Sequence, residues 1–433
     1  MPPDASTVVV RPAVRLRGTL RVPGDKSVSH RYALLAALAD GVSRISGYAP
    51  GADCAATLNC LEALGVAVRR TVETVEISGR GPRGLLQPEG PLDARNSGTS
   101  MRMLSGVLSA HRMEATITGD ASLSRRPMRR VIEPLTLMGA QISAAEGDRP
   151  PLRIGPPARG VLSGIDYRLP VASAQVKSAI LLAGLQAEGL TVVREPVATR
   201  DHTERALRAF GVNLDVERGQ IAIAGDQRPQ GRELEVPGDS SSAAFFGVAA
   251  AAIAGSEVTI THVGMNPSRT AWLDVLERAG ARIERHEDTE SAGEPSGRIT
   301  VRHGGLGAVR IDPAEVPGLI DELPALGALA THGGEVRVTG ASELRGKESD
   351  RITAFVTGLR ALGADAEELP DGFIVRGSRQ LAGGTADAAS DHRLAMAFAV
   401  AALGAREPST ITGADAVAVS YPGFFETLEA LCA

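Results

Sequence analysis

Five short segments of this 433-residue chain gather side chains suited to holding and transforming a small anionic molecule. The first is Gly24-Asp-Lys-Ser-Val-Ser-His-Arg31, which leads into an apolar run. Free backbone N–H groups at a helix start attract anions, and Lys26, Ser27 and Arg31 add donors for a phosphate or carboxylate. A nucleoside-triphosphate loop is excluded, because Asp25 interrupts the required Gly-Lys-Ser and the upstream Gly18 is misplaced. A capped, exposed helix start is the plainer use of the same residues. The second segment, Asn96-Ser-Gly-Thr-Ser-Met-Arg102, is another glycine-containing turn into an apolar helix. Gly98 permits close approach of a ligand to the backbone, although an ordinary turn and cap would also use it. The third, Gly119-Asp-Ala-Ser-Leu-Ser-Arg-Arg-Pro-Met-Arg-Arg130, crowds four arginines into six positions. Like charges at that density repel unless an anion lies between them or water solvates them.

The fourth segment pairs Ser173-Ala-Gln-Val-Lys177 with Arg200-Asp-His-Thr-Glu204. Its hydroxyl, amide and guanidinium donors suit a hydroxylated, phosphorylated small molecule. His202 and Glu204 lack the spacing of a metal site and the eight histidines are scattered, so no metal is expected. The fifth comprises Asp321-Glu322, Lys347-Glu-Ser-Asp-Arg351 and Asp391-His-Arg393. Carboxylates beside fixed cations can do acid/base work inside an anion site, and Asp321 and Asp391 can equally serve as helix caps. Lys347 and Arg351, four apart, are expected on one helical face, an arrangement that wastes stability unless an anion is shared.

These segments must be positioned by ordered elements, and composition says which kind. Apolar residues make up 43% and charged residues 22%, a globular composition. Lys plus Arg number 46 against 51 Asp plus Glu, so no global basic field would draw in nucleic acid or an anionic membrane. Aromatics are 3%, too sparse for base stacking. The three cysteines, Cys54, Cys60 and Cys432, fit a reduced, cytoplasmic setting. The opening Met1-Pro-Pro-Asp-Ala lacks signal-peptide character, and the near-apolar run Ala243–Ala254 falls short of the roughly 20 residues of a bilayer span.

A helix ending in Leu-x-x-apolar-Gly recurs at Gly65, Gly139, Gly211, Gly280 and Gly363, and a sixth copy ends at Cys432. Glycine there supplies the left-handed residue that stops a helix, and alternation such as Val66-Ala-Val68 then starts a strand. Six helices apolar nearly all round alternate with these, near Ser29–Ala39, Thr99–Ala110, Ser173–Ala187, Ser240–Ala254, Asp321–Thr331 and Asp391–Gly404. They must be buried. Six α/β (α+β) units exceed one core, so three plus three is the expected partition. The joints are the duplicated Val-Pro-Gly-Asp at 22–25 and 236–239, giving one domain over 21–236 and another combining 1–20 with 237–433, with the active site in the cleft between them.

Taken together, the segments Pro23-Gly-Asp-Lys-Ser-x-Ser-His-Arg31, Asn96-x-Gly-Thr-x-x-Arg102, Arg126-Pro-Met, Lys347-Glu-Ser-Asp-Arg351 and Asp391-His-Arg393 resemble those of the 5-enolpyruvylshikimate-3-phosphate synthase family, over nearly the whole chain. The resemblance implies two domains, each of three βαβαββ repeats about a pseudo-threefold axis, an inside-out α/β barrel. It implies transfer of the enolpyruvyl group of phosphoenolpyruvate to the 5-hydroxyl of shikimate 3-phosphate, by a monomer without a cofactor. By the same resemblance Lys26, Ser27, Arg31, Ser173, Ala174, Gln175, Arg200, Asp321 and Lys347 hold shikimate 3-phosphate. Lys26, Gly98, Arg126, Gln175, Arg351 and Arg393 hold phosphoenolpyruvate. Asp321 is then the base for the 5-hydroxyl. Glu348 delivers a proton to the methylene carbon, with Lys26 a contender, although cations beside Glu348 favour its charged form.

One position departs from many family members, which carry Lys shortly before an aromatic-Pro pair; here Val419 precedes Tyr421-Pro422. A bacterial subgroup weakly inhibited by glyphosate also lacks that Lys and shares the fourth-segment motifs. Gly98 points the other way, because an Ala at this turn would put a methyl group in the inhibitor's path. The related UDP-N-acetylglucosamine enolpyruvyl transferases need a loop Cys near Ala121, and no Cys lies between 61 and 431. A non-catalytic phosphate-binding protein would need the cations but neither Asp321 nor Glu348.

Overall fold

The computed structural model describes residues 6–432, and in it the two Val-Pro-Gly-Asp segments are where the chain passes from one structural unit to the other. One unit holds Gly24–Val236 with the short segment Glu290–Glu294. The other holds the residues up to Pro23, Pro237–Thr289 and Pro295 onward. The expected boundaries therefore shift: residues 21–23 go with the N-terminal strands, and 290–294, the tip of a hairpin, belongs with 24–236.

The unit built on 24–236 contains helices α1 (Lys26–Leu38), α2 (Ala52–Ala63), α3 (Gly98–Leu108), α4 (Arg129–Leu137), α5 (Ala174–Gly184) and α6 (His202–Ala209). The unit built on 237–433 contains α7 (Ser240–Ala252), α8 (Ala271–Ala279), α9 (Val316–Leu319), α10 (Leu323–Leu329), α11 (Arg351–Ala361), α12 (His392–Ala402) and α13 (Phe424–Leu431). Among these, α1, α3, α5, α7, α10 and α12 are the small-residue, nearly all-apolar helices, and they form the cores. In the second unit α7, α10 and α12 pack on one another pairwise; in the first, α3 packs closely on α5 and also touches α1. The α3–α5 approach depends on Gly106, where a Cβ would lie 2.2 Å from the Ala179 carbonyl oxygen. The outer helices end where the recurrent glycines predict: Gly65, Gly139, Gly211, Gly280 and Gly363 all have φ between +79° and +109°.

Among the described residues each unit has three sheets. Five are four-stranded and the sixth, containing Ser409–Thr412, is three-stranded. All six share one plan: an edge strand runs parallel to its neighbour, and an antiparallel strand follows on the other side. The two strands that precede the Val-Pro-Gly-Asp segments are exchanged. Arg17–Arg21 leads into α1 but pairs in parallel with Glu257–Thr261, next to α7. Glu233–Glu235 leads into α7 but pairs with Arg44–Ser46, next to α1. The N-terminal Thr7–Val10 completes the three-stranded sheet against Ser409–Thr412. Among the described residues no helix is long and apolar enough to cross a membrane.

Five of the six inner helices are capped by the polar side chain that precedes them. Asp25 accepts from Val28 N (3.0 Å), Ser97 from Ser100 N (3.1 Å), Ser173 from Val176 N (3.4 Å), Asp239 from Ser241 N (2.8 Å) and Asp391 from Arg393 N (3.0 Å). Each cap satisfies a backbone donor that burial would otherwise leave unpaired. The exception is α10, whose N-cap position is Glu322 and has no side-chain cap bond.

Candidate active site

In the unit built on 24–236, three inner-helix starts present the sequence-predicted residues. Lys26 opens α1, and its Nζ lies 3.0 Å from Asp53 Oδ2 in the first turn of α2. Gly98 opens α3. The Arg102 guanidinium, one turn on, donates to Gln175 Oε1 (2.7 Å) and to the Gly98 carbonyl (3.3 Å). Gln175 in turn donates to Thr99 Oγ1 (2.9 Å), so the starts of α3 and α5 are joined through side chains. Arg126 is buried, with Nη2 on Asn96 Oδ1 (2.8 Å) and Ser122 Oγ (3.1 Å). A Cβ on Gly98 would sit 2.6 Å from Arg102 Nη1 and 3.4 Å from Arg126 Nη1, so this glycine leaves room for two guanidinium groups. Of the four clustered arginines only Arg126 turns inward; Arg125, Arg129 and Arg130 are exposed, and Arg129 pairs with Asp148 at 2.8 Å.

Ser27, Ala174 and Gln175 are half-buried at the same helix starts, as are Ser173 and Arg200 just ahead of α5 and α6. Arg31 is buried and its guanidinium donates to three protein oxygens: Thr203 Oγ1 (2.7 Å), the Ser27 carbonyl (2.7 Å) and Ser178 Oγ (2.9 Å). Burial lowers its pKa to about 10, with Glu204 and Asp25 acting in the opposite direction. Behind Gly98 runs a buried polar chain, His30 Nδ1 to Thr57 Oγ1 (2.7 Å), Thr57 to Ser100 Oγ (2.6 Å) and Ser100 to Ser97 Oγ (2.7 Å). Burial, then the nearby charges of Lys26 and Arg31, hold His30 well below its ordinary pKa, so its ring is neutral.

In the unit built on 237–433, cations and carboxylates are matched. Arg351, fully buried at the start of α11, donates to Asp391 Oδ2 through Nε (2.7 Å) and to Glu348 Oε2 through Nη2 (2.5 Å). Its Nη1 lies 3.6 Å from Asp321 Oδ1 and has no acceptor at hydrogen-bond distance among the described residues. Burial opposes the charge on Arg351, yet Asp391, Glu348 and Asp321 outweigh it and raise the pKa above the ordinary value. Arg393 lies 3.6 Å from Asp321 Oδ1 through Nε and donates to the Asp321 carbonyl at 3.1 Å. Burial lowers the pKa of Lys347, and the charge of Asp321 opposes that.

Two sequence expectations are corrected here. Asp321 does not cap a helix; the cap position of α10 is Glu322, and the Asp321 carboxylate turns toward Arg351 and Arg393. Lys347 does not share a helical face with Arg351, because it lies in extended backbone and α11 begins only at Arg351, capped by Asp350. Four neighbours of the predicted residues were not singled out as site residues from sequence. Arg102 carried a usable signal, since four residues after Gly98 is the same helical face. Asn96 and Asp391 sit within the motifs, whereas Asp53 looks like an acidic first-turn residue of any helix. Among the described residues no group of three or more His, Cys, Asp or Glu could hold a metal ion.

Comparison with known proteins finds one family model along the chain, EPSP synthase (3-phosphoshikimate 1-carboxyvinyltransferase), matching residues 10–428. A 3-phosphoshikimate 1-carboxyvinyltransferase of Alkalilimnicola ehrlichii is 52% identical over 421 residues, covering 96% of this chain and 94% of that protein. One from Shouchella clausii is 47% identical and covers 96% of each. Among solved structures, an EPSP synthase from Acinetobacter baumannii superimposes with a TM-score of 0.86 at 43% identity, covering 98% of both chains.

Proposed function

This chain belongs to the EPSP synthase family and transfers the enolpyruvyl group of phosphoenolpyruvate to shikimate 3-phosphate in the shikimate pathway, and on that premise we propose how its side chains divide the reaction. The starts of α1, α3, α5 and α6 hold the two anions. Lys26, Ser27, Arg31, Ser173, Ala174, Gln175 and Arg200, with Asp321 and Lys347, take shikimate 3-phosphate. Lys26, Gly98, Arg126 and Gln175, with Arg351 and Arg393, take phosphoenolpyruvate. Each substrate brings a phosphate of about −1.5 to −2 charges and a carboxylate, which is why so many cations are needed.

Asp321 accepts the proton of the 5-hydroxyl, whose oxygen attacks C2 of phosphoenolpyruvate as Glu348 delivers a proton to C3. The tetrahedral adduct then returns a proton from the C3 methyl group to Glu348 and loses phosphate, which leaves with the proton held by Asp321, so atoms and charges balance. Arg126, Arg351 and Arg393 stabilise the phosphate and carboxylate throughout. The observation that carries this reading is the enclosure of Arg351 by Asp321, Glu348 and Asp391, with one guanidinium nitrogen left without an acceptor. An incoming substrate anion that takes Arg351 weakens its hold on Glu348. The carboxylate can then gain the proton that the cation had disfavoured. The enzyme works in the cytoplasm as a monomer; its three free thiols suit a reducing compartment.

The test is a reaction run in deuterium oxide. The wild type should release phosphate with shikimate 3-phosphate but not with UDP-N-acetylglucosamine, and deuterium should enter the vinyl group. Glu348→Gln should cut deuterium entry at least about a hundredfold, as for a lost general acid. Unchanged label entry would pass the role to Lys26.

A further inference from the structure

The third inner helix, α5, is mostly apolar, yet it sends a lysine side chain into the interior. Lys177 has no exposed surface, and its ammonium lies between Glu195 Oε2 (2.9 Å) and Glu204 Oε1 (2.7 Å), both nearly buried. A buried ammonium must be paired, but one carboxylate would do. The second makes the triad net negative in a region of fixed positive charge, next to Arg31 and Arg200. Glu204 Oε2 has no hydrogen-bond partner among the described residues. Glu204 is also the foremost charge favouring the protonated form of Arg31 against its burial.

The connectivity is specific. Ser178, beside Lys177, and Thr203, beside Glu204, bond each other at 2.6 Å, and both accept from Arg31, at 2.9 and 2.7 Å. On the far side Thr199, immediately before Arg200, donates to Glu195. The triad therefore fastens the chain on both flanks of Arg200 and fixes the two hydroxyls that aim Arg31. Asp201 and His202 are committed as well, to Arg205 at 2.8 Å and to Glu294 at 2.7 Å. Thus each of the four residues after Arg200 binds protein.

We propose that Lys177, Glu195 and Glu204 are positioning residues for shikimate 3-phosphate: a buried ionic clamp that presets Arg31 and Arg200 and supplies the negative charge that lets two guanidinium groups stand together before the substrate arrives. This rests on the assignment of Arg31 and Arg200 to that substrate. None of the three clamp residues need touch the substrate.

The test compares Glu204→Gln and Thr203→Val with Arg200→Ala, reading KM for each substrate, kcat, calorimetric shikimate 3-phosphate binding and thermal unfolding. Glu204→Gln removes the surplus charge and keeps the Lys177–Glu195 pair. Thr203→Val keeps all three charges but removes one hydroxyl on Arg31, and it carries the test if Glu204→Gln does not fold. Each should weaken shikimate 3-phosphate binding at least tenfold and raise its KM alike, leaving KM for phosphoenolpyruvate within twofold and kcat within threefold. A lowered melting temperature with unchanged KM values, or equal rises in both KM values, overturns the clamp. If Arg200→Ala leaves shikimate 3-phosphate binding intact, the underlying assignment has failed instead. If Arg200→Ala weakens binding and the other two do not, only the clamp has failed.

Discussion

The two units each gather arginines that are buried or half-buried, and give them different partners. Around Gly98 the arginines donate to neutral oxygens, among them Asn96 and Ser122 for Arg126, Gln175 for Arg102, and Ser178 and Thr203 for Arg31, while Lys26 and Lys177 of the same unit face carboxylates. Around Arg351 the partners are the carboxylates of Glu348, Asp391 and, at 3.6 Å, Asp321. A cation resting on neutral acceptors keeps its charge for a ligand, whereas one surrounded by carboxylates gives up much of its field and gains groups that can move protons. The contrast suits the arginines around Gly98 to holding anions, and the group around Arg351 to moving protons as well.

The largest expected effect tests the acid/base half. Asp321→Asn should lower kcat at least about a hundredfold while shikimate 3-phosphate binding, measured by calorimetry, stays within about tenfold, as for a lost general base. Near-normal turnover would make Asp321 a partner of Arg351 and Arg393 and nothing more.

Next in size is a pH effect at His30, in the unit built on 24–236. His30 is fully buried and its folded pKa lies below the unfolded 6.5. The unfolded chain therefore binds the extra proton first. The stability contributed by neutral His30 is present above pH 6.5 and is lost as pH falls, by up to about 1.4 kcal/mol per pH unit. Urea unfolding from pH 7 to 5 should show a steeper loss for the wild type than for His30→Asn. Parallel curves would mean that His30 carries no such linkage.

A smaller change probes the space at Gly98. Gly98→Ala pushes a methyl group to 2.6 Å from Arg102 Nη1, the flexible end of a side chain, so the site can adjust for a short ligand. Glyphosate, which is longer than phosphoenolpyruvate, should bind the wild type competitively. The substitution should raise its inhibition constant at least about tenfold, or 1.4 kcal/mol, with a lesser rise in KM for phosphoenolpyruvate. Wild-type indifference to millimolar glyphosate would refute the steric argument. The smallest effect belongs to Arg129, whose side chain is 77% exposed in its pair with Asp148. Arg129→Ala should change stability by less than about 0.5 kcal/mol and neither KM, because exposed pairs contribute little.

Sequence made the helices legible because their signals are local. A polar cap before an apolar run and a glycine after an amphipathic one each involve a few neighbouring residues, and five of six inner caps form as their residue types suggest. The failure at Asp321 is informative for the same reason. An Asp before an apolar helix is locally a cap, and only the position of Arg351 and Arg393, far along the chain, draws it away. The strand pairings were illegible on the same grounds, since nothing near Arg17–Arg21 specifies Glu257–Thr261 as its neighbour. Lys177 stood beside predicted substrate residues in one motif, but its burial depends on Glu195 and Glu204, which only the fold brings to it.

The exchanged strands also set an order of assembly during synthesis. Every sheet strand of the unit built on 24–236 lies between Val42 and Glu235, so its three sheets can close once roughly the first half of the chain has left the ribosome. The other unit cannot do this. Arg17–Arg21 is made first yet must wait for Glu257–Thr261, and Thr7–Val10 must wait for Ser409–Thr412. Contacts across some 240 and 400 residues close slowly, and unpaired edges invite aggregation meanwhile. The N-terminal strands thus spend most of translation without partners, tethered to a neighbour that has already folded.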